Sequence, residues 1–265
     1  MPFGLFIIGD EILSGKRQDK HLPKVIELLS ARGMALSWAQ YLGDDPLRIT
    51  AAIRSAATSG DIVISCGGIG ATPDDHTRQC AAAALGLDLV LHPEARALIE
   101  ERMRDVAREQ GTVWEPDRAD NVHRLNMGVF PAGAQIIPNP YNKIPGFSVG
   151  DLHFVPGFPV MAHPMIEALL DGRYAHLHGG EQLEERSLIV YGAMEASLTP
   201  LMIELEARFD AIKVFSLPSV DHPVHGRHIE LGVKGRGAAV AAAYAALREG
   251  LQALDARTGP EMVRP

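Results

Sequence analysis

The sequence predicts an α/β protein with a mainly parallel sheet and helices on both faces, followed by a small α+β domain. Three observations predict it. Strand-like and helix-like segments alternate from residue 3 to about residue 170, the βαβ order of a parallel sheet with right-handed crossovers. A glycine-rich run at residues 65–77 joins a strand to a helix. A polar, glycine-containing stretch at residues 171–180 then separates this region from a β-α-β-β-α succession.

Each element has a local cause. Residues 3–8 form an apolar strand, and Leu22, Val25, Ile26 and Leu29 recur at helical spacing until Gly33 stops them. Residues 34–42 are strand-like; Asp45-Pro46 opens a helix that ends near Gly60. A strand at 61–65, a helix running from Pro73 to Gly86, a strand at 87–91 and a long charged helix at 93–110 follow. Residues 121–159 are loop-rich around one short strand, 152–155. The domain boundary falls between 170 and 171, giving domains 1–170 and 171–265. In the second, strands are expected at 186–191, 212–217 and 228–233, and helices at 195–209 and 238–254.

With 46% hydrophobic and 22% charged residues over 265 positions, the chain has the make-up of a globular protein with an ample core. No apolar run approaches the roughly 20 residues of a membrane span. Met1-Pro2-Phe3-Gly4 lacks a basic leader and enters a strand directly, so a cytoplasmic protein without a membrane partner is expected. Lys and Arg total 25 against 33 Asp and Glu, a net charge of −8. That argues against a nucleic-acid partner, because backbone phosphates need a concentrated basic face. Cys66 and Cys80 make no disulfide framework and no ligand set; Cys66 reads as a buried small hydrophobe.

The run that bears chemistry is Ser65-Cys66-Gly67-Gly68-Ile69-Gly70-Ala71-Thr72-Pro73-Asp74-Asp75-His76-Thr77. Thr72 reads as a helix cap, Pro73 as the first helical residue and Asp75 as the far half of a capping pair. Backbone N–H groups at such a turn and helix start attract an anion, and Gly67, Gly68 and Gly70 leave room for its approach. Asp74 and Asp75 would repel that anion, which points to a divalent cation between carboxylates and phosphate. Capping and turn formation alone also account for acids and glycines at these places. The run matches neither the Walker pattern nor the dinucleotide fingerprint.

Ligands of open α/β sheets bind beyond the carboxyl ends of the strands. The first strand ends in Gly9-Asp10-Glu11, followed by Ser14-Gly15 and Asp19. If the first and third strands are neighbours, Asp10, Glu11, Asp19, Asp74 and Asp75 converge on one mouth, with oxygens enough for Mg²⁺ or a similar hard ion. The alternative is a solvated turn in which Asp10 caps a helix. Pro145-Gly146-Phe147 and Pro156-Gly157-Phe158 bracket the strand at 152–155 and read as turns or as rigid pocket walls. Lys143 stands either where a cation meets phosphate or as a solvated loop lysine. His222, His225 and His228 recur at every third position, but Pro223 and Gly226 make this a hairpin loop, where spacing alone does not bring imidazoles together.

Gly9-Asp10-Glu11-Ile12-Leu13-Ser14-Gly15, Gln18-Asp19, the Gly67–Asp75 run with Thr77, Asn139-Pro140, Pro145-Gly146-Phe147, and Pro156-Gly157 with Pro159 together resemble the competence/damage-inducible protein A family. These blocks span residues 5 to 165 in order, and the tail from residue 180 is more loosely similar to the small KH-like middle domain of those proteins. The resemblance implies a three-layer α/β/α molybdopterin-binding (MoaB/Mog-like) domain, similar to the first domain of eukaryotic FAD synthases and commonly a homo-oligomer. It implies divalent-metal-dependent hydrolysis of a nucleotide diphosphate such as ADP-ribose or FAD, with binding or adenylylation of molybdopterin as the alternative within the fold. Longer members carry a nicotinamide-nucleotide deamidase domain, an activity expected to be absent from this chain. Lys20-His21 stands where the family continues with Thr-Asn, Ala71 replaces a proline, and Tyr141-Asn142-Lys143-Ile144 replaces a Gly-Thr-Ala approach; these change size and charge around the pocket.

On that basis Gly67, Gly68, Gly70 and Thr72 cradle the diphosphate, while Asp10, Asp74 and Asp75 hold Mg, Mn or Co. Glu11 or Asp19 serves as general base, with Asp10 and Asp75 also in the catalytic group. Asn139, Gly146 and Gly157 contact the nucleoside side, and Lys143 and Pro159 are further substrate-binding candidates. The competing expectation is a pterin or nucleotide binding protein without turnover. RNA binding through the tail is disfavoured, because the Gly-x-x-Gly clamp with flanking basic residues is missing.

Overall fold

A computed structural model describes residues 2–179 and 183–264; Gly180, at the end of the expected linker, lies outside them. The chain divides into two compact units, residues 1–29 with 35–176 and residues 30–34 with 177–265.

The first unit opens with β1 (Phe3–Ile8), α1 (Asp10–Leu13), α2 (His21–Ser30), β2 (Leu36–Leu42), α3 (Pro46–Ser59), β3 (Ile62–Cys66), α4 (Thr77–Leu85), β4 (Leu89–Leu91) and α5 (Pro93–Glu109). It continues with α6 (Ala119–Arg124), a 3₁₀ turn at Leu125–Gly128, β5 (Val129–Pro131), β6 (Gln135–Ile137), β7 (Gly146–Val149), β8 (Leu152–Val155) and α7 (Pro159–Gly172). Six strands form one sheet in the order β2-β1-β3-β8-β7-β6. β2, β1, β3 and β8 run parallel, and β7 pairs antiparallel with β8 on one side and with β6 on the other.

The mainly parallel sheet is present, with two differences from the sequence reading. β4 does not join it but pairs antiparallel with β5 in a separate ribbon, and β8 takes the place beside β3. The segment read as loop-rich holds α6 and four strands of three or four residues, too short for a period to register.

Every residue of β1 and β3 is buried, as befits strands covered on both faces. Phe6, Ile8 and Val63 join Ile49 and Ile53 of α3 and Cys80 and Ala81 of α4 in one cluster. Leu5, Ile7, Ile62 and Ile64 alternate with them and are equally buried. Phe130, Phe147 and Phe154 stack in a column with centroids 4.6 and 4.5 Å apart. The Asp45 carboxylate accepts from the amides of Leu47 and Arg48 and so fixes the start of α3, with Gly60 left-handed at its end.

One buried polar chain crosses this core. The Tyr174 hydroxyl donates its proton to Asp151, so His153 Nε2–H must donate to Tyr174, at 2.6 Å, and Ser148 donates to His153 Nδ1 at 2.8 Å. His153 is fully buried, and desolvation, aided by Arg173, pushes its pKa down to about 3.

The second unit holds β9 (Leu183–Tyr191), α8 (Glu195–Arg208), β10 (Ile212–His222), β11 (Gly226–Arg236), α9 (Ala238–Ala253) and β12 (Arg257–Arg264). Its sheet is antiparallel, in the order β10-β11-β9-β12. Alternate residues Leu188 and Val190, and Ile229, Leu231 and Val233, pack with Leu198 and Leu205 of α8 and Val240, Leu247 and Leu251 of α9. β12 is an addition to the expected β-α-β-β-α order.

The histidine expectation is corrected here. The rings of His222, His225 and His228 do gather, with centroids 4.9, 5.2 and 5.6 Å apart. The cause is the turn: His222 Nδ1 accepts from the amides of Val224 and His225 and folds over it. That lone pair is thereby spent, and His222 and His225 are stacked face to face, so the rings do not converge as ligands.

Candidate functional site

β1 pairs directly with β3, Ile7 opposite Cys66, so Gly9-Asp10-Glu11 and the glycine-rich run leave the sheet side by side. They border a cleft of about 660 Å³ at the carboxyl ends of β1, β3 and β8. Its wall includes Glu11, Gly67, Gly68, Gly70, Thr72, Asp74, Asp75, Asn139 and Gly157. Asp10 lines an adjoining hollow with Glu11, Lys16, Asp44 and Asp74. Asp19, Lys143, Gly146 and Pro159 line neither.

The reasons are local. Asp19 accepts from the amides of His21 and Leu22, capping α2, and from the Tyr41 hydroxyl. Lys143 turns its ammonium to Glu101 and Asp105 of α5, at 2.6 and 2.7 Å. Gly146 lies inside the sheet, where a Cβ would strike the Phe154 carbonyl. Pro159 opens α7. Asn139 is nearly buried, and its amide closes its own loop through Asn142, Ile144 and the Tyr141 amide.

The glycine-rich run departs from its expected shape. The helix starts at Thr77 rather than Pro73. The Thr77 amide donates to the Gly68 carbonyl and its hydroxyl to the Gly67 carbonyl, so the chain loops back before the helix begins. The Thr72–Asp75 pair does form, with the Asp75 carboxylate accepting from the Thr72 amide and hydroxyl at 2.8 and 2.6 Å, but it closes this preceding turn. Gly67 and Gly68 have φ of +108° and +69°, and a Cβ on them would strike the Ile8 carbonyl and the Thr77 hydroxyl. Their close approach is therefore to the protein itself. Among the described residues the amides of Ile69, Gly70 and Ala71 find no acceptor in the protein.

Sequence reasoning missed several charged groups. Arg78, nearly buried, donates from Nη2 to the Gly70 carbonyl at 2.5 Å and holds a cation behind the loop. Burial lowers its pKa while Asp75 opposes the shift. Asp44 and Asp10 exchange backbone-to-carboxylate bonds, at 2.9 and 3.2 Å. Burial pushes the Asp44 carboxyl up, and Asp10, Glu11 and Asp74 push the same way against the Asp10 amide. The signal for Asp44 was present, since it follows β2, the strand beside β1. Lys16 and Arg17 also line the cleft. Burial raises the Cys66 thiol, which suits an inert core residue. Among the described residues, no three His, Cys, Asp or Glu side chains are arranged to hold a metal ion. None of the described helices is long and apolar enough to cross a membrane.

A family model described as "Probable molybdopterin binding domain" matches residues 4–176. The chain belongs to this family, whose α/β molybdopterin-binding (MoaB/Mog-like) fold the first unit carries, in its CinA-like branch. It is 31% identical over 205 residues to a CinA-like protein of Syntrophotalea carbinolica, covering 74% of this chain and 46% of that one. It is 28% identical over 274 residues to a CinA-like protein of Geobacter metallireducens, covering 99% and 61%. The chain thus spans about half the length of these curated relatives. A crystal structure of the protein CinA, of unknown function, from Thermoplasma acidophilum aligns over 64% of this chain and 98% of its own, with 26% identity and a TM-score of 0.55.

Proposed function

We propose that the chain is a divalent-metal-dependent hydrolase of a nucleotide diphosphate resembling ADP-ribose or FAD. The pairing of β1 with β3 carries this reading, because it sets an acid-bearing strand end beside the glycine-rich one on a single cleft. The amides of Ile69, Gly70 and Ala71, with Arg78 behind Gly70, favour a diphosphate there. Asp10, Asp74 and Asp75 are the carboxylates assigned to a Mg, Mn or Co ion. One or two of these three, together with substrate phosphates, would hold the ion, since among the described residues no three His, Cys, Asp or Glu side chains are arranged to hold one by themselves. Such an ion neutralises charge on the diphosphate and acidifies a water. Glu11, in the cleft wall, is assigned as general base in preference to Asp19, whose carboxylate is occupied by the α2 cap and Tyr41. Gly157 is kept as a substrate contact, and Asn139 as support for its loop. We place the protein in the cytoplasm as a homo-oligomer, a state that light scattering reads directly.

Purified protein with Mg²⁺, Mn²⁺ or Co²⁺ should release AMP from ADP-ribose or FAD. Asp74→Asn should lower that rate by at least about tenfold through the lost charge at the phosphates. No AMP with any of the three metals would sink the hydrolase reading. A second reading, a pterin or nucleotide binding protein without turnover, is favoured by the matched domain's description. Molybdopterin retained through purification, or heat protection by ligand with no product formed, would establish it instead.

A further inference from the structure

We infer that the β8 side of the cleft is a ring-binding subsite, in which Phe158, with Arg17 on one face, stacks the planar heterocycle of the ligand and Asn142 reads its edge. The inference rests on the nucleotide reading above and names the part of the ligand that the reading leaves open.

The strand order gives the cleft a polarity. Loops after β2 and β1 bring Asp44, Asp10 and Glu11; the glycine loop after β3 lies between; the segments flanking β8 and β7 bring Phe158, Met161, Ile144 and Asn142. Acidic groups are thus concentrated on one side and apolar surface on the other, where Arg17 lies against Phe158. A diphosphate at the glycine loop then points its remaining group toward the apolar side.

Phe158 is the exposed aromatic of that side. The Arg17 guanidinium lies 5.7 Å from its ring centroid, yet the residue remains 52% exposed, which leaves ring surface free for stacking. An aromatic left half exposed in a cleft wall, with a guanidinium already laid on it, is the arrangement that binds a π-face without reading its sequence of atoms.

Asn142 supplies the reader. Its Oδ1 accepts from the Asn139 amide group at 2.8 Å and from the Ile144 backbone N–H at 3.1 Å, which settles the orientation of its own amide. Its Nδ2 then has Met161 Sδ at 3.6 Å, a weak acceptor that a ring nitrogen or carbonyl oxygen displaces at small cost. The donor is held in place by bonds that do not involve it, so it is preorganised.

Calorimetric titration of the full chain with ADP-ribose and, separately, with inorganic pyrophosphate tests the subsite, since only the first carries a ring. Phe158→Ala should weaken ADP-ribose by about 5- to 150-fold and leave pyrophosphate unchanged. Phe158→Trp should restore binding, which separates stacking from a folding defect. Asn142→Leu should weaken ADP-ribose by about 2- to 12-fold, the value of one hydrogen bond. FAD and neopterin titrated in parallel show which heterocycle the pocket prefers, and a Phe158-dependent affinity for any of them supports the subsite. Equal losses for ADP-ribose and pyrophosphate, no loss for either, or a wild-type chain that binds no ring-bearing ligand overturn it. Ring-dependent binding without AMP release removes the hydrolase reading and leaves the subsite standing.

Discussion

Gly68 sits at φ +69° with Thr77 Oγ1 where its Cβ would be. Gly68→Ala therefore meets both left-handed strain of about 1–2 kcal/mol and a steric clash. It should lower Tm by roughly 2–8 °C and remove nucleotide binding, read by thermal melts and calorimetry. His153 makes the pH prediction. Its folded pKa of about 3 lies below the ordinary 6.5, so the unfolded chain binds the extra proton between these values. Stability from this residue is complete above pH 6.5 and is lost as pH falls toward 3, by up to roughly 5 kcal/mol. Denaturant midpoints of the wild type should fall across that window, and His153→Gln should flatten the slope. At this scale the sequence located side chains better than it aimed them. Glu11, Asp74 and Asp75 reach the cleft from strand-end loops, whereas Asp19 and Lys143 were drawn to a helix cap and to α5 by partners that no local pattern announces.

At the scale of elements, long periodic segments were legible and short or composite ones were not. α3 was bounded by Asp45-Pro46 and Gly60, residues whose cap and left-handed geometry have a sequence signature. Asp45→Ala should cost about 1 kcal/mol of stability, seen as a lower denaturant midpoint. β12 had no such signature. Gly259-Pro260 interrupts it, its register shifts between Thr258 and Glu261, and its exposed residues mix Arg257, Glu261 and Arg264 with Thr258 and Val263, so no apolar alternation marks it. It is held by the β9 ladder and by Arg264, which grips Glu230 at 2.6 and 3.2 Å. Deleting residues 257–265 should expose the β9 edge and make the second unit the less stable one, giving earlier proteolysis within 183–253. β4 misled for another reason: three apolar residues say "strand" but not which partner, and β5 lies about forty residues away.

For the molecule as a whole, the cleft ties ligand occupancy to the stability of the first unit. A nucleotide present at 100 times its Kd with a divalent ion should raise that stability by about 2.7 kcal/mol, and chelation should cancel the part that depends on the ion. The floor of the cleft makes the coupling tight. A Cβ on Gly157 would sit 3.3 Å from the Gly67 Cα, and the Gly67 amide is bonded to the Val155 carbonyl, so two loops from different strands meet main chain to main chain. Opening either loop breaks its contact with the other. In hydrogen–deuterium exchange, residues 67–72 and 156–158 should therefore exchange as one cooperative body, and a ligand touching either loop alone should slow both to the same degree.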